Sequence, residues 1–409
     1  MPVSAAHPRR LVGWLSLAQL ISWGSTYYLF GLLMAPIEQD LGLNRAQSSL
    51  AFSLALLTEG LAAYPVGRWI DRGHERSVMT GGSLLVALVL GLMSRAGNLA
   101  EFYLAWAGLG LGMAGVLYAP VFAVVTRRFP QDFRRAIITI TFLGGLASTV
   151  FIPLDAALID RLGWRQALLV LAALHLGLCA PLHAAWLRGA GSVRARPAAG
   201  LDDGSAPAPG GRPWTAHLRR PPFLLVGCFV VLTMGVTTAL TPHLVSLLTE
   251  AGMAPGWSVT VPASVGLIQV AGRLLLYFFE HRVDTHRVNR WILGLLPLSL
   301  VALLVALALG RPPLGLLALF VLFWGLANGL LTIVKGTAVA QYVSRVHMAS
   351  LMGVLGLPQA LARAAAPLLL GLLWSPEAGY RSGVALLLAA SLLAALAFVL
   401  AQRAAGDGR

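Results

Sequence analysis

Residues 222–247 read PFLLVGCFVVLTMGVTTALTPHLVSL, 26 positions without an Asp, Glu, Lys or Arg. About 20 apolar residues in a helix cross the hydrocarbon core of a bilayer, so this run predicts a transmembrane helix. Working outward, eleven further runs of the same kind follow, at 11–35, 47–69, 78–95, 101–126, 136–158, 166–187, 257–279, 291–310, 314–342, 349–374 and 382–402. Only helices and closed barrels satisfy their backbone in lipid. These runs are too long and too continuous for the alternating strands of a barrel. The fold class is therefore an all-α membrane protein of twelve transmembrane helices.

Composition agrees. Hydrophobic residues make up 57% of the 409 positions and charged residues 11%, against roughly 25% charged in a soluble domain. The net charge of +14 does not indicate nucleic-acid binding, because the arginines sit in the gaps between apolar runs and form no single basic stripe. The two cysteines, Cys179 and Cys228, both lie in apolar runs and give neither a disulfide framework nor metal-ligand spacing. No phosphate loop, paired metal ligands or nucleophile triad is present, so neither an enzyme nor a cofactor is expected. Arg9 and Arg10 precede an apolar stretch too long for a signal-peptide core, with no fitting cleavage site. It is read as the first span. Arginine outnumbers lysine 29 to 1, which suggests a GC-rich bacterial genome and hence an inner-membrane location.

Basic residues set the orientation. With both termini cytoplasmic, 22 of the 30 lie in cytoplasmic segments, counting Arg273 near the end of span eight among them, and six in outer loops, leaving Lys335 and Arg363 within spans. The stretch 188–221 is rich in Gly, Pro, Ala and Arg and reads as a cytoplasmic linker, with Trp214–Arg220 able to lie on the membrane as a short amphipathic helix. It separates an N-terminal six-helix half, 1–187, from a C-terminal half, 222–409. The halves look like a diverged repeat. Gly163-Trp164-Arg165 precedes span six and Gly379-Tyr380-Arg381 precedes span twelve. An acid among bases follows span two (Asp71) and span eight (Glu280). A glycine-rich helix stands fourth in each half, at 108–115 and 325–336.

The loop after span two reads Gly67-Arg68-Trp-Ile-Asp71-Arg72-Gly73-His-Glu-Arg76. Its glycines let helices approach closely, and an acid among arginines can form an exchangeable ion-pair cluster. This loop resembles the one between helices two and three of the major facilitator superfamily, and the twelve-span plan extends the resemblance over nearly the whole chain. The resemblance implies the major facilitator fold and a gating role for Gly67, Arg68, Asp71, Arg72 and Arg76, with Glu280 as the counterpart in the second half. A narrower likeness lies in Leu41-Gly-Leu-Asn-Arg45, Gly108-Leu-Gly110-Leu-Gly112, Tyr118-Ala-Pro120, Arg127-Arg128-Phe129-Pro130, Thr241-Pro242-His243 and Gly272-Arg273. Together these resemble the monocarboxylate transporter and oxalate–formate antiporter branch.

Arg273 is the first candidate for substrate binding. A charge inside a span costs at least about 2.5–3.5 kcal/mol and marks function, and a guanidinium fork fits a carboxylate. Gln269 shares its face, one turn earlier. The resemblance implies that an arginine of helix eight binds the substrate carboxylate. Lys335 and Arg363 are further cations in spans ten and eleven, against few buried acids, Glu59 in span two and Asp155 toward the outer end of span five. An electropositive lining favours an anion. In the resembled oxalate–formate antiporters the second cation is a lysine on helix eleven, where this chain has Arg363. Many monocarboxylate transporters carry an acid one turn before the helix-eight arginine, where Gln269 stands here and cannot titrate. Glu59 and His243 are then the candidate proton carriers. Tyr118, Trp324, Trp23 and Tyr27 are candidate pocket walls, with Gln19, Ser22 and Thr26 on one face of span one. His175 and His183 in span six read as core residues.

The function expected is secondary active transport of a small organic anion of the monocarboxylate kind, coupled to protons, by a monomer in the lipid bilayer. The alternative is a proton-driven efflux pump for drugs or toxic compounds. Such pumps carry a Gly-Pro pair in span five, where this chain has Gly144-Gly145. A sensor built on a transporter fold is the third reading, disfavoured by the short termini.

Overall fold

In the computed structural model the described residues are 6–129, 131–188, 214–279, 285–344 and 347–406. Glu280 and most of the linker (189–213) lie outside them. Among the described residues the secondary structure is helical, apart from a single bridge between Ser375 and Gly379. Among the described residues twelve helices are long and apolar enough to cross a membrane. Spans one to six are Arg10–Leu41, Arg45–Asp71, Glu75–Met93, Leu99–Arg128, Arg135–Leu162 and Trp164–Trp186. Spans seven to twelve are Pro221–Glu250, Pro255–Leu275, Trp291–Ala308, Leu314–Thr332, Ser350–Leu372 and Arg381–Ala405. Each coincides with one predicted run. Side chains set some of the boundaries. Asn44 and Gln47 form a reciprocal capping box at the start of span two, and Asn98 caps span four through the Glu101 amide. Of the residues predicted to form a surface helix before span seven, Trp214–His217 form a single 3-10 turn.

The chain divides into two compact units, Met1–Ala206 and Pro207–Arg409. Lipid gives helices no hydrophobic drive to associate, so close van der Waals packing must hold each unit together. In the first unit span four packs on spans two and three. Gly110 sits directly on the Ala55 carbonyl and the Thr58 hydroxyl of span two, and a Cβ there would overlap both. Thr58 reaches back to the Ala107 carbonyl of span four at 2.8 Å. In the second unit span ten packs on spans eight and nine. A Cβ on Gly329 would overlap the Gln269 carbonyl oxygen of span eight, and one on Gly325 would fall 2.7 Å from the Ile268 side chain.

A second element of the repeat is equally concrete. Gly163 and Gly379 adopt positive φ (78° and 56°) at the tight turns into spans six and twelve, a region that favours glycine. The arginine two residues on caps a neighbouring helix end in each case. Arg165 donates to the carbonyls of Ser94 and Ala96 after span three, at 3.0 and 2.9 Å. Arg381 donates to Leu307 at the end of span nine, at 2.7 Å. The unpaired carbonyls of a helix C-terminus make both contacts favourable.

Outward faces carry exposed leucines at helical spacing, such as Leu84, Leu88 and Leu92 on span three, which suit lipid. The second unit has a continuous core containing Phe229, Phe320, Trp324 and Phe398. In the first unit Phe30, Phe52 and Trp106 form an aromatic cluster, with ring centroids 4.7–5.8 Å apart.

The glycine contacts generate a prediction. Gly110→Ala and Gly329→Ala each force a methyl group into a backbone oxygen and should cost about 1–3 kcal/mol. Gly91→Ala and Gly336→Ala, where a Cβ meets nothing within 4 Å, should leave stability unchanged or raised. Thermal unfolding of the four purified variants in detergent checks this. Equal midpoints across all four would show that the contacts are not close.

Candidate transport site

Four spans of the first unit that sequence periodicity reads as straight helices, one, four, five and six, are interrupted. Span four breaks at Leu117, whose φ and ψ of −79° and −162° are extended, between Leu99–Val116 and Tyr118–Arg128. Pro120 has no N–H to give the Val116 carbonyl four residues earlier. The side-chain amide of Gln19 in span one donates to that carbonyl instead. Span one itself contains a π-helical turn, Trp23–Tyr28, a feature frequent at functional sites. Ser25 in this turn is hydrogen-bonded to His175 Nε2 at 2.7 Å, and His175 opens a second π turn, His175–Cys179, in span six. Because the Ser25 hydroxyl donates to the Ile21 carbonyl, it accepts from His175, which fixes the Nε2–H tautomer. His183 is bound in turn to Ser83 of span three, at 2.9 Å. Both histidines are buried.

Tyr118 is partly buried and stands at the break in span four. Its ring lies 4.9 Å from that of Trp23 and 5.1 Å from that of Phe122, and its hydroxyl occupies the space left by the absent side chain of Gly144. Span five is interrupted there, between Phe133–Gly145 and Ala147–Leu162. Ser22 and Thr26, with Gln19, are fully buried. Glu59 is half-buried on span two, next to Thr58 and one turn beyond the carbonyl that Gly110 covers.

At the loop after span two, Arg72, Asp71 and Arg76 are exposed. The acid that is buried is Glu75, with 0% of its side chain exposed. Arg128 of span four binds it through Nε, and Arg127 lies at 3.7 Å. Arg127 also donates to the Ile70 carbonyl and Arg128 to the Leu187 carbonyl at 2.9 Å. The cluster therefore ties one end of spans two, three, four and six together. Arg68 lies with its guanidinium carbon 5.7 Å from the Tyr64 ring centroid, and a Cβ on Gly67 would meet nothing within 4 Å. Glu75 escaped the sequence reading because its place within a charged run gives no sign of burial.

In the second unit three cations are brought together. Arg363 of span eleven and Arg273 of span eight both act electrostatically on Lys335, which lies beyond Thr332 in the extension of the span-ten helix Leu314–Tyr342. All three side chains are partly buried, and Gln269 stands one turn before Arg273, at the Gly329 contact. His243 is fully buried. Its Nε2 donates to the Pro367 carbonyl at 3.0 Å and its Nδ1 meets the Tyr380 hydroxyl at 3.1 Å. It links spans seven, eleven and the turn into span twelve. Trp324 is 1% exposed and stacks on Phe320 in the core of the unit. Among the described residues no group of three His, Cys, Asp or Glu can hold a metal.

This architecture has clear relatives. The model of the Major Facilitator Superfamily matches residues 15–367, and the chain belongs to that family. It is an integral, multi-pass membrane protein. Monocarboxylate transporter 13 of Bos taurus is 29% identical over 287 residues, 68% of this chain and 62% of that protein, so the match spans less than two thirds of that relative. An MFS-type efflux pump of Mycolicibacterium smegmatis is 30% identical over 319 residues, 73% of this chain and 70% of that one. Among solved structures, a bacterial homolog of the human lysosomal transporter Spinster superposes with a TM-score of 0.71 over 98% of both chains at 16% identity, a likeness of fold.

The Glu75 cluster yields a test. Glu75→Gln leaves two largely buried guanidinium groups without their anion and should cost about 3 kcal/mol, the lower end for a broken buried pair. Asp71→Asn, at an exposed position, should change stability by less than about 1 kcal/mol. Thermal unfolding compares them, and equal shifts would remove Glu75 from the centre of the cluster.

Proposed function

We propose that the chain moves a small organic anion of the monocarboxylate kind across a bacterial inner membrane by proton-coupled alternating access, as a monomer with both termini cytoplasmic. The observation that carries this reading is the gathering of Arg273, Lys335 and Arg363 in one unit. Mutual repulsion makes three clustered cations costly in a membrane, and an anionic substrate relieves that cost. Arg273 supplies the bidentate fork for a carboxylate, Gln269 a neutral donor beside it, and Lys335 and Arg363 the remaining field. The bovine relative named a monocarboxylate transporter supports the same class. Tyr118, at the broken helix of the first unit, is the candidate aromatic contact. The loop Gly67–Arg76, with Glu280 in the second half, is the candidate gate.

Efflux of a toxic organic compound is the second reading, favoured by the mycobacterial relative named as an efflux pump, which matches the greater share of this chain. Resistance conferred on expressing cells and abolished by an uncoupler would establish it.

Uptake of labelled carboxylates into proteoliposomes, with and without an inward proton gradient, tests the first reading. The wild type should accumulate at least one acid when the gradient is present. Arg273→Gln should lower uptake at least tenfold, a loss of about 1.4 kcal/mol of transition-state or binding free energy. Uptake undiminished in that variant would overturn the assignment.

A further inference from the structure

Asp155 lies in span five, seven residues before its outer end at Leu162, roughly 10 Å along the helix. It is completely buried, and neither carboxylate oxygen has a hydrogen-bond partner among the described residues. Two carboxylates at this end of the unit are held in ion pairs. Glu38 is held by Arg45 at 2.8 Å and Asp40 by Arg165 at 2.8 Å. An ionised carboxylate without a partner in an apolar interior is strongly disfavoured, whereas the neutral acid is tolerated.

The surroundings suit a group that changes state. Span five packs against the π turn of span one and against span six. One turn before Asp155, the Phe151 ring fills the space over Gly24, where no Cβ would fit. The carboxyl thus sits one turn from a tight junction with the π-helical Trp23–Tyr28. Such turns hold their helix by an irregular bonding pattern and mark places where register can shift. The charged and titratable groups on the neighbouring elements are otherwise engaged. Tyr27 and Tyr28 of the π turn pack edge-on, 5.4 Å apart, and His175 of span six is bound to Ser25. Arg165 of span six and Asp40 of span one pair with each other, and Glu38 of span one pairs with Arg45. Arg10 and Arg135 lie at the opposite, cytoplasmic ends of spans one and five. On its own helix, Asp160 and Arg161 are exposed.

We propose that Asp155 is a proton-binding site of the transport cycle, protonated in the conformation described here and ionised when rearrangement at the π turn of span one brings it to water. The inference rests on the proton-coupled reading above. One proton taken from water on one side forms the neutral acid, and the same proton leaves to water on the other, so each cycle carries one positive charge alongside the anion.

The test has two arms. Infrared difference spectroscopy of the purified protein in liposomes, which needs no substrate, should show at neutral pH a carbonyl stretch of a protonated carboxyl. Asp155→Asn should remove that band, Asp155→Glu should shift it, and Glu59→Gln should leave it in place. A band that survives Asp155→Asn, or that disappears with Glu59→Gln, overturns the proposal. In proteoliposomes, Asp155→Asn should lose gradient-driven accumulation at least tenfold while still exchanging labelled for unlabelled substrate. Accumulation at the wild-type level would overturn it too. Failure of the organic-anion reading is seen separately, as a wild type that moves no carboxylate, and the infrared arm then still decides the case of Asp155.

Discussion

In each unit a glycine of the fourth helix rests directly on the backbone of the second. Gly110 rests on the Ala55 carbonyl, and Gly329 rests on the Gln269 carbonyl. In water such contacts would be one contribution among many. In lipid, where an apolar side chain gains little by leaving its surroundings, close approach is a main source of association energy. The contact also fixes where charge can sit. One turn beyond Ala55 on span two is Glu59, and one turn beyond Gln269 on span eight is Arg273. The contact thus lies one turn from an acid in the first unit and one turn from a cation in the second.

The interruptions in spans one, four, five and six belong to the same economy of backbone bonds. A broken helix in a membrane must have its freed carbonyls satisfied from nearby. Gln19 does this for Val116 across the break forced by Pro120. Ser25 and His175 join the two π turns by a hydrogen bond of 2.7 Å. These polar groups are fully buried, and their bonds connect helices in pairs, one to four and one to six. Gln19 and Ser25 thereby couple span one to both partners.

Much of this was legible in the sequence. The number, order and approximate limits of the spans follow from run length alone, because lipid imposes one length on all of them. The repeat was visible in Gly163-Trp164-Arg165 and Gly379-Tyr380-Arg381, although only the coordinates reveal that each arginine caps a helix end. The π turns were not legible, since insertion of one residue leaves hydrophobic periodicity almost unchanged over a single turn. Pro120 signalled a break, but nothing in the pattern named Gln19 as the donor across it. Glu75 was hidden among charged neighbours, and Trp324 and His243, polar-tipped residues in apolar runs, fitted a pocket wall and a packed core equally well. Composition cannot separate these, because the choice depends on which neighbour each side chain meets.

The distribution of buried charge gives the two repeats different characters. Away from the span ends, the first unit holds the acids Glu59 and Asp155 and the second the cation Arg363, with Arg273 two residues before the end of span eight and Lys335 three residues beyond span ten. Random drift within a repeat would not be expected to sort signs in this way, because each intramembrane charge costs at least about 2.5–3.5 kcal/mol and is removed unless something offsets it. An anion offsets clustered cations, and a proton offsets an isolated carboxyl. A transporter that carries both ligands can assign one to each repeat. On the function proposed above, binding of either ligand alters the charge of one unit alone.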